Sequence, residues 1–422
     1  MARSAFSKQK GYWKPGGNLL QEARDLARQA ENGCDTMLRL EVEMIYFDNN
    51  ATTKVLPEVK DAMVAFWNDD YGNPNSVHQE GTRIRAAVER ARGKVARILG
   101  VTSSELVFTG SGSESNNHAI LGALLAAPSG GNIVMSAIEH SSVKTTCEWA
   151  ARRFGFELRV APFVIRDNGV DPQPFIELID ENTRLVTCMY ANNETGVVMP
   201  LGPIFEAAGK VGAVRHSDCV QGVGKLPFDP KALGIDLFGF SAHKFHGPKG
   251  SGCLYIRRGV KIESLIHGGP QENTRRAGTE NVANIVGLGI ALEMAVNTDK
   301  TPLQQLRDYF EANLIETLGK HARVNFQNAK RTPNCSSVCF PGQDGNVLVI
   351  KLDRKGFCAS TGAACNSGSL KASGGLMAAG LSEADAAATL RFSFSKFNTR
   401  EEVDQLLAIL PEILKIKVAT GV

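Results

Sequence analysis

Between residues 81 and 257 the chain alternates two hydrophobic periods. Ile84, Val88, Ala91, Val95 and Ile98 recur at helical spacing within 81–99 and predict an amphipathic helix. Short apolar runs of strand length follow at 106–109, 133–137, 185–190, 213–217 and 236–240, with 253–257 as one more. Helical patterns separate them, as in a parallel α/β sheet. From about residue 302 the pattern changes. A helix near 303–318 leads to a strand near 336–340 and an apolar, helix-compatible run at 347–352. Residues 389–395 alternate strictly, with Leu390, Phe392 and Phe394 on one face and Arg391, Ser393 and Ser395 on the other. Thr399-Arg400-Glu401-Glu402 forms a capping box that opens the last helix. The expected fold class is α/β: a mostly parallel central sheet with helices on both faces, plus a smaller α+β domain. The expected limits are 57–300 for the large domain, with 44–56 and 301–422 forming the small one.

Composition narrows the options. At 422 residues, 43% hydrophobic and 22% charged, the chain is ordinary for a globular protein with a large core. A net charge of +3 gives no electrostatic case for a nucleic-acid partner. No apolar run approaches the roughly 18 residues that span a bilayer, so no membrane association is expected. The nine cysteines are an odd number and scattered, which points to reduced thiols and a cytoplasmic setting. Cys335 and Cys339 lie four apart with no second ligand pair nearby, so no metal is expected. Residues 1–20 carry Arg3, Lys8, Lys10 and Lys14, no acid and no apolar core, which excludes a secretory signal. Residues 1–43 therefore read as a weakly packed extension. They are either a transit peptide, which would make the location organellar, or an upstream start, since Met44 directly precedes the run Ile45-Tyr46-Phe47.

Ligands of open α/β sheets bind outside the carboxyl ends of the strands, and the polar residues of this chain collect there. Gly110-Ser111-Gly112-Ser113-Glu114-Ser115 follows the run 106–109 and opens a helix, so its N–H groups and hydroxyls can cradle a phosphate. Ser113 can also be that helix's N-cap. Glu139-His140, Asn192-Asn193-Glu194, then Asp218 and Gln221, then Ser241-Ala242-His243-Lys244 follow the next four runs. A lysine just past a buried strand can carry pyridoxal phosphate as a Schiff base. Asp218 can pair with the pyridinium nitrogen and keep it protonated, and His140 can stack on the ring and move protons. Asn193 and Gln221 can hydrogen-bond the ring oxygen. Each residue also has a plain use, as a solvated lysine, a turn aspartate or a core histidine. Their convergence carries the reading.

A second constellation lies near the C-terminus. Residues 356–369 are rich in Gly, Ser and Ala and predict a mobile loop with Cys365 at its centre. An exposed loop thiol becomes a nucleophile when a neighbouring cation or base lowers its pKa. Cys358, beside Phe357, reads as inert packing. Arg391, on the polar face of its strand, can clamp a carboxylate with both arms of its guanidinium. Its alternative is a surface ion pair.

These stretches belong to a longer ordered set. The set includes Phe47-Asp48-Asn49-Asn50-Ala51-Thr52-Thr53, Gly72-Asn73-Pro74-Asn75-Ser76-Val77-His78, Ser113-Glu114-Ser115-Asn116 and Ala191-Asn192-Asn193-Glu194-Thr195-Gly196. It continues with Asp218 through Lys225, Arg276-Ala277-Gly278-Thr279-Glu280-Asn281, Gly362 through Ser369, and Arg391-Phe392-Ser393. Over residues 45–416 the chain resembles the NifS/IscS-type cysteine desulfurases, within the fold-type I, class V aminotransferase-like pyridoxal-phosphate enzymes. The resemblance implies that Lys244 holds the cofactor and moves the substrate's Cα proton. It implies that Ser113, Ser241 and His243 hold the phosphate with Gly112 lending backbone, and that Thr279 reaches the phosphate of a neighbouring subunit in a homodimer. Asp218 then pairs with the ring nitrogen, Gln221 with the ring oxygen, and Asn193 and Arg391 with the substrate carboxylate, while His140 stacks on the ring. Cys365 attacks the sulfur of L-cysteine. The implied products are L-alanine and a Cys365 persulfide, passed on for iron–sulfur cluster assembly or to another acceptor protein.

Departures bear on the acceptor. The loop reads Ala363-Ala364-Cys365-Asn366 where Ser-Ala-Cys-Thr is common, and Lys371-Ala372-Ser373-Gly374-Gly375 stands where Glu-Pro-Ser and a histidine are usual. The tail to Val422 lacks the longer segment with which many relatives dock a scaffold, so an iron–sulfur scaffold is one expected partner among several acceptors. The alternatives are a selenocysteine lyase or another class V enzyme. A non-enzymatic sulfur relay is disfavoured because Lys244, His140, Asp218 and Cys365 are all present.

Overall fold

Short apolar strands buried on both faces build the centre of the protein. The computed structural model describes residues 44–166, 169–361 and 372–416. The expectations about residues 1–43 and about Cys365 therefore lie outside the described residues. Seven strands form the main sheet: β1 (Leu106–Thr109), β2 (Asn132–Ser136), β3 (Glu157–Ala161), β4 (Thr183–Thr187), β5 (Val214–Asp218), β6 (Leu237–Ser241) and β7 (Gly252–Ile256). Their order is β1-β7-β6-β5-β4-β2-β3. All neighbours pair in parallel except β7, which runs antiparallel to both β1 and β6.

The pleat sorts the side chains onto two faces. Leu106, Phe108, Val134, Val186, Phe238 and Phe240 enter one core, against helices α1 (Pro57–Asn68), α2 (Gln79–Leu99) and, further along the chain, Val282–Asn297. Val107, Ile133, Met135, Leu185 and Leu237 enter the other, against α3 (Gly112–Ala126) and α4 (Ser141–Phe154). Central strands buried on both faces read as continuous apolar runs, which is why the sequence shows them. The helix α2 carries the predicted stripe and ends at Gly100, whose φ of 66° is the left-handed cap that glycine takes at little cost.

A four-stranded antiparallel sheet follows: β8 (Arg323–Val324), β9 (Cys335–Cys339), β10 (Ser360–Thr361) and β11 (Thr389–Ser393), in the order β8-β9-β11-β10. It packs with the helix Thr301–Leu318 and with Arg400–Leu414 around Phe47, Phe310, Phe392 and Phe394. The capping box at Thr399 and Glu402 is present. Cys335 and Cys339 are both buried on β9. Cys358, expected as buried packing, is half-buried instead, because it pairs only along the two-residue strand Ile45–Tyr46. No helix among the described residues is long and apolar enough to cross a membrane.

The segment 47–53 ties the two sheets together. Asn49 N–H donates to Ser393 O at the end of β11, and Thr53 N–H donates to His243 O just past β6.

Candidate functional site

The sheet topology brings the carboxyl ends of β1, β2, β4, β5 and β6 to one side, and most of the sequence-predicted residues meet there. Gly112 opens α3. A Cβ on it would stand 2.6 Å from Val220 Cγ2, so the glycine lets this helix start lie close against the turn after β5 without displacing Val220. The N-cap is Ser111, not Ser113: its hydroxyl accepts from Glu114 N–H at 3.1 Å. Ser113 is consequently released from capping and lies exposed in the first turn. Ser241 is buried at the end of β6 and donates to Ser251 O at 3.2 Å. His243 pairs with Thr52 Oγ1 at 3.2 Å. Burial, then the ammonium groups of Lys244, Lys249 and Lys225, pull the His243 pKa down to about 4. An uncharged imidazole offers one N–H donor and one acceptor nitrogen.

Asp218 is the last residue of β5 and only 4% exposed. Its Oδ2 accepts from Asn116 Nδ2 at 2.8 Å and its Oδ1 from Val220 N–H at 2.9 Å. The other carboxyl nearby is handled differently. Burial, reinforced by the charge of Asp218, pushes Glu139 well above the usual carboxylate range. Its Oε1 accepts from Met189 N–H at 2.6 Å.

His140 caps α4. Its Nδ1 accepts from Ser142 N–H at 3.1 Å and lies 2.8 Å from Ser142 Oγ, which assigns the proton of the neutral ring to Nε2. Lys244 leaves a short 3₁₀ turn after β6, and its Nζ donates to the carbonyls of Asn50 and Ala51, each at 2.8 Å. Gln221 is buried and donates from Nε2 to the same Asn50 carbonyl at 3.0 Å.

Arg391, on β11, is buried at 4% exposure and is not a surface ion pair. One arm donates to Asp48 Oδ1 at 2.7 Å and the other to the main-chain carbonyl of Asn193 at 2.9 Å. Its Nε is a buried donor with no partner among the described residues. A guanidinium held on one edge with a spare N–H suits a carboxylate ligand. Next to Asn193, Glu194 is raised above its ordinary range by burial, and it accepts from Ser373 Oγ at 2.5 Å.

Thr279 stands apart. It is exposed, and among the described residues no hydrogen bond joins it to this cluster. It follows a turn in which Glu272, Asn273 and Thr274 all take positive φ, at 50°, 57° and 65°. Glu272 anchors that turn by accepting both arms of the buried Arg92, at 2.7 and 2.8 Å.

Asn50, Asn116 and Lys225 received no role from the sequence, although each lies in a recognised stretch. Only Lys225 had a local signal: it lies four residues after Gln221 in the same turn. The assembled set is a helix start flanked by hydroxyls, a buried carboxylate, an amine, an imidazole and a guanidinium.

The family model described as aminotransferase class-V matches residues 45–406. A cysteine desulfurase of Sinorhizobium fredii is 42% identical over 375 residues, 88% of this chain and 96% of that protein. The cysteine desulfurase IscS of Methanosarcina thermophila is 41% identical, over 89% of this chain and 93% of its own. Among solved structures, a NifS-like protein superposes with a TM-score of 0.81 at 37% identity, covering 88% of this chain and 99% of that one. The structure titled SspA in complex with cysteine gives a TM-score of 0.74 at 34% identity, over 84% and 100% of the two chains.

Proposed function

The chain belongs to the class-V aminotransferase family, among its cysteine desulfurases, and we propose that it uses pyridoxal phosphate to move the sulfur of L-cysteine onto Cys365. The observation that supports the cofactor reading is the convergence at neighbouring strand ends of the helix start at Gly112, the buried Asp218 carboxylate held by Asn116 and the Val220 N–H, His243, and the Lys244 amine. These residues fit the group. Gly112, Ser113, Ser241 and His243 would hold its phosphate, Asp218 its ring nitrogen, Gln221 its ring oxygen and Lys244 its aldehyde carbon. The cofactor supplies an electron sink for charge that develops at the substrate Cα.

The rest is the work of this chain's own side chains. Arg391 and Asn193 bind the carboxylate of L-cysteine and fix the orientation of its Cα–H bond. The Lys244 amine, released from its two main-chain carbonyls, takes that proton. His140, with its proton on Nε2, is the second group that can hold or return one. Cys365 attacks the substrate sulfur. Its S–S bond forms as the substrate Cβ–S bond breaks, and the carbon skeleton leaves as L-alanine after proton return. Thr279 reaches the phosphate of a second copy, so the working unit is a homodimer. The persulfide passes to an iron–sulfur scaffold or another acceptor protein, in the cytoplasm.

The test is stoichiometric release of alanine from L-cysteine by the purified protein, with one sulfide freed per alanine when a thiol reductant strips the persulfide. Lys244→Ala should abolish both products. Alanine release that persists in Lys244→Ala would overturn the assignment.

A further inference from the structure

We propose that Lys225 is a positioning residue that fixes which way round the amides of Gln221 and Asn50 face, and so presents Gln221 to the cofactor's ring oxygen as a hydrogen-bond donor. The proposal rests on the pyridoxal-phosphate reading and goes beyond it. A lysine ammonium carries three donors and no acceptor. Lys225 Nζ stands 2.5 Å from Gln221 Oε1 and 2.8 Å from Asn50 Oδ1, so both amide oxygens are committed to it. The two NH2 groups must then point the other way. Gln221 Nε2 donates to Asn50 O at 3.0 Å, and Asn50 Nδ2 donates to Asn193 O at 3.2 Å. Asn334 Nδ2 adds a second donor to Asn50 Oδ1 at 3.0 Å and holds the same orientation.

An amide's two ends have nearly the same shape, and only their partners decide the orientation. Without Lys225, Gln221 can turn over and bring its oxygen against the ring oxygen. Burial and the facing charges of Lys244 and Arg391 lower the Lys225 pKa to about 7, with Cys335 acting the other way. Even as a neutral amine Lys225 keeps two N–H donors, so the orientation survives its titration. His243 and His246 are the other titratable groups that feel its charge.

The experiment is a pH titration of the bound cofactor's absorbance in the full-length loaded protein. Losing a donor to the ring oxygen makes that oxygen more basic. Lys225→Met should move the midpoint up by about one pH unit, the equivalent of roughly one hydrogen bond. Lys225→Gln restores an N–H donor without charge and should return the midpoint most of the way. Gln221→Met should shift the midpoint itself, and adding Lys225→Met to it should contribute little more, because both changes remove one interaction. An unmoved midpoint in Lys225→Met, additive shifts in the double variant, or a Lys225→Gln shift as large as that of Lys225→Met would overturn the proposal. Absence of any such absorbance band from the unaltered protein would overturn the cofactor reading itself, and this proposal with it.

Discussion

Replacing Arg391 with lysine keeps the charge beside Asp48 and removes the fork. In the native site one arm is spent on Asp48 at 2.7 Å and the other on Asn193 O at 2.9 Å, while Nε stays unpartnered among the described residues. A lysine can keep the ion pair with Asp48, so the half-buried carboxylate retains its partner and the fold should survive. It cannot also hold the Asn193 carbonyl and a substrate carboxylate in one plane. The loss is one charge-assisted hydrogen bond to the substrate, about 1.5–3 kcal/mol. That corresponds to roughly a 10- to 150-fold fall in kcat/KM, at tenfold per 1.4 kcal/mol. The assay is steady-state alanine release across a range of L-cysteine concentrations, beside turnover of cysteamine, which lacks the carboxylate. The expected result is a raised KM and a preference for cysteine over cysteamine that falls by the same factor, because the variant loses only what the carboxylate supplied. A kcat that falls with KM unchanged, or an unaltered preference between the two amines, would refute the assignment of Arg391 as the carboxylate's anchor.

Two further perturbations probe the supports of the site. Glu272→Gln leaves the buried Arg92 with only the exposed Glu89 as a charged partner and frees a turn of three consecutive positive-φ residues. Urea unfolding should show a loss of about 3–5 kcal/mol, and a change below about 1 kcal/mol would contradict the role given to the pair. Acid should also weaken the fold before the carboxylates titrate. Burial lowers both His243 and His246 from 6.5 to about 4, so between those values the unfolded chain takes up protons that the native chain refuses. The stability these imidazoles contribute is complete above pH 6.5 and is lost as pH falls towards 4, on the order of 1 kcal/mol for each by pH 5. Urea midpoints measured from pH 7 to pH 5 should fall accordingly, and His246→Gln should flatten the slope. A midpoint that holds steady over that range would contradict the burial argument.

The legible and illegible parts of this protein separate on physical grounds. The central strands show in the sequence because both of their faces are buried, so β4 and β6 read as apolar runs. The edge strand β3 did not show: Glu157 and Val160 are exposed, and its Glu-Leu-Arg-Val-Ala sequence is broken by two charged residues and forms no continuous apolar run. The antiparallel direction of β7 was equally invisible, since a hydrophobic pattern is the same read either way. At the site, strand-end position brought Asp218, His140 and Lys244 forward. The misplaced N-cap, Ser113 for Ser111, came from a loop with several hydroxyls, any of which suits a cap. Asn50 could not be found locally at all. Its carbonyl meets a lysine 194 residues away, and nothing near it in the chain encodes that meeting.

The most direct test of sulfur transfer to Cys365 follows the sulfur atom. The protein is incubated with L-cysteine carrying isotopically labelled sulfur, digested without reductant, and analysed by mass spectrometry. The peptide containing Cys365 should gain one labelled sulfur, and alanine should appear in equal amount. In Cys365→Ser the cofactor absorbance should remain while labelling and sulfide release disappear. A Cys365→Ser variant that still releases sulfide at the native rate, or label found on another cysteine of the native chain, would contradict the account.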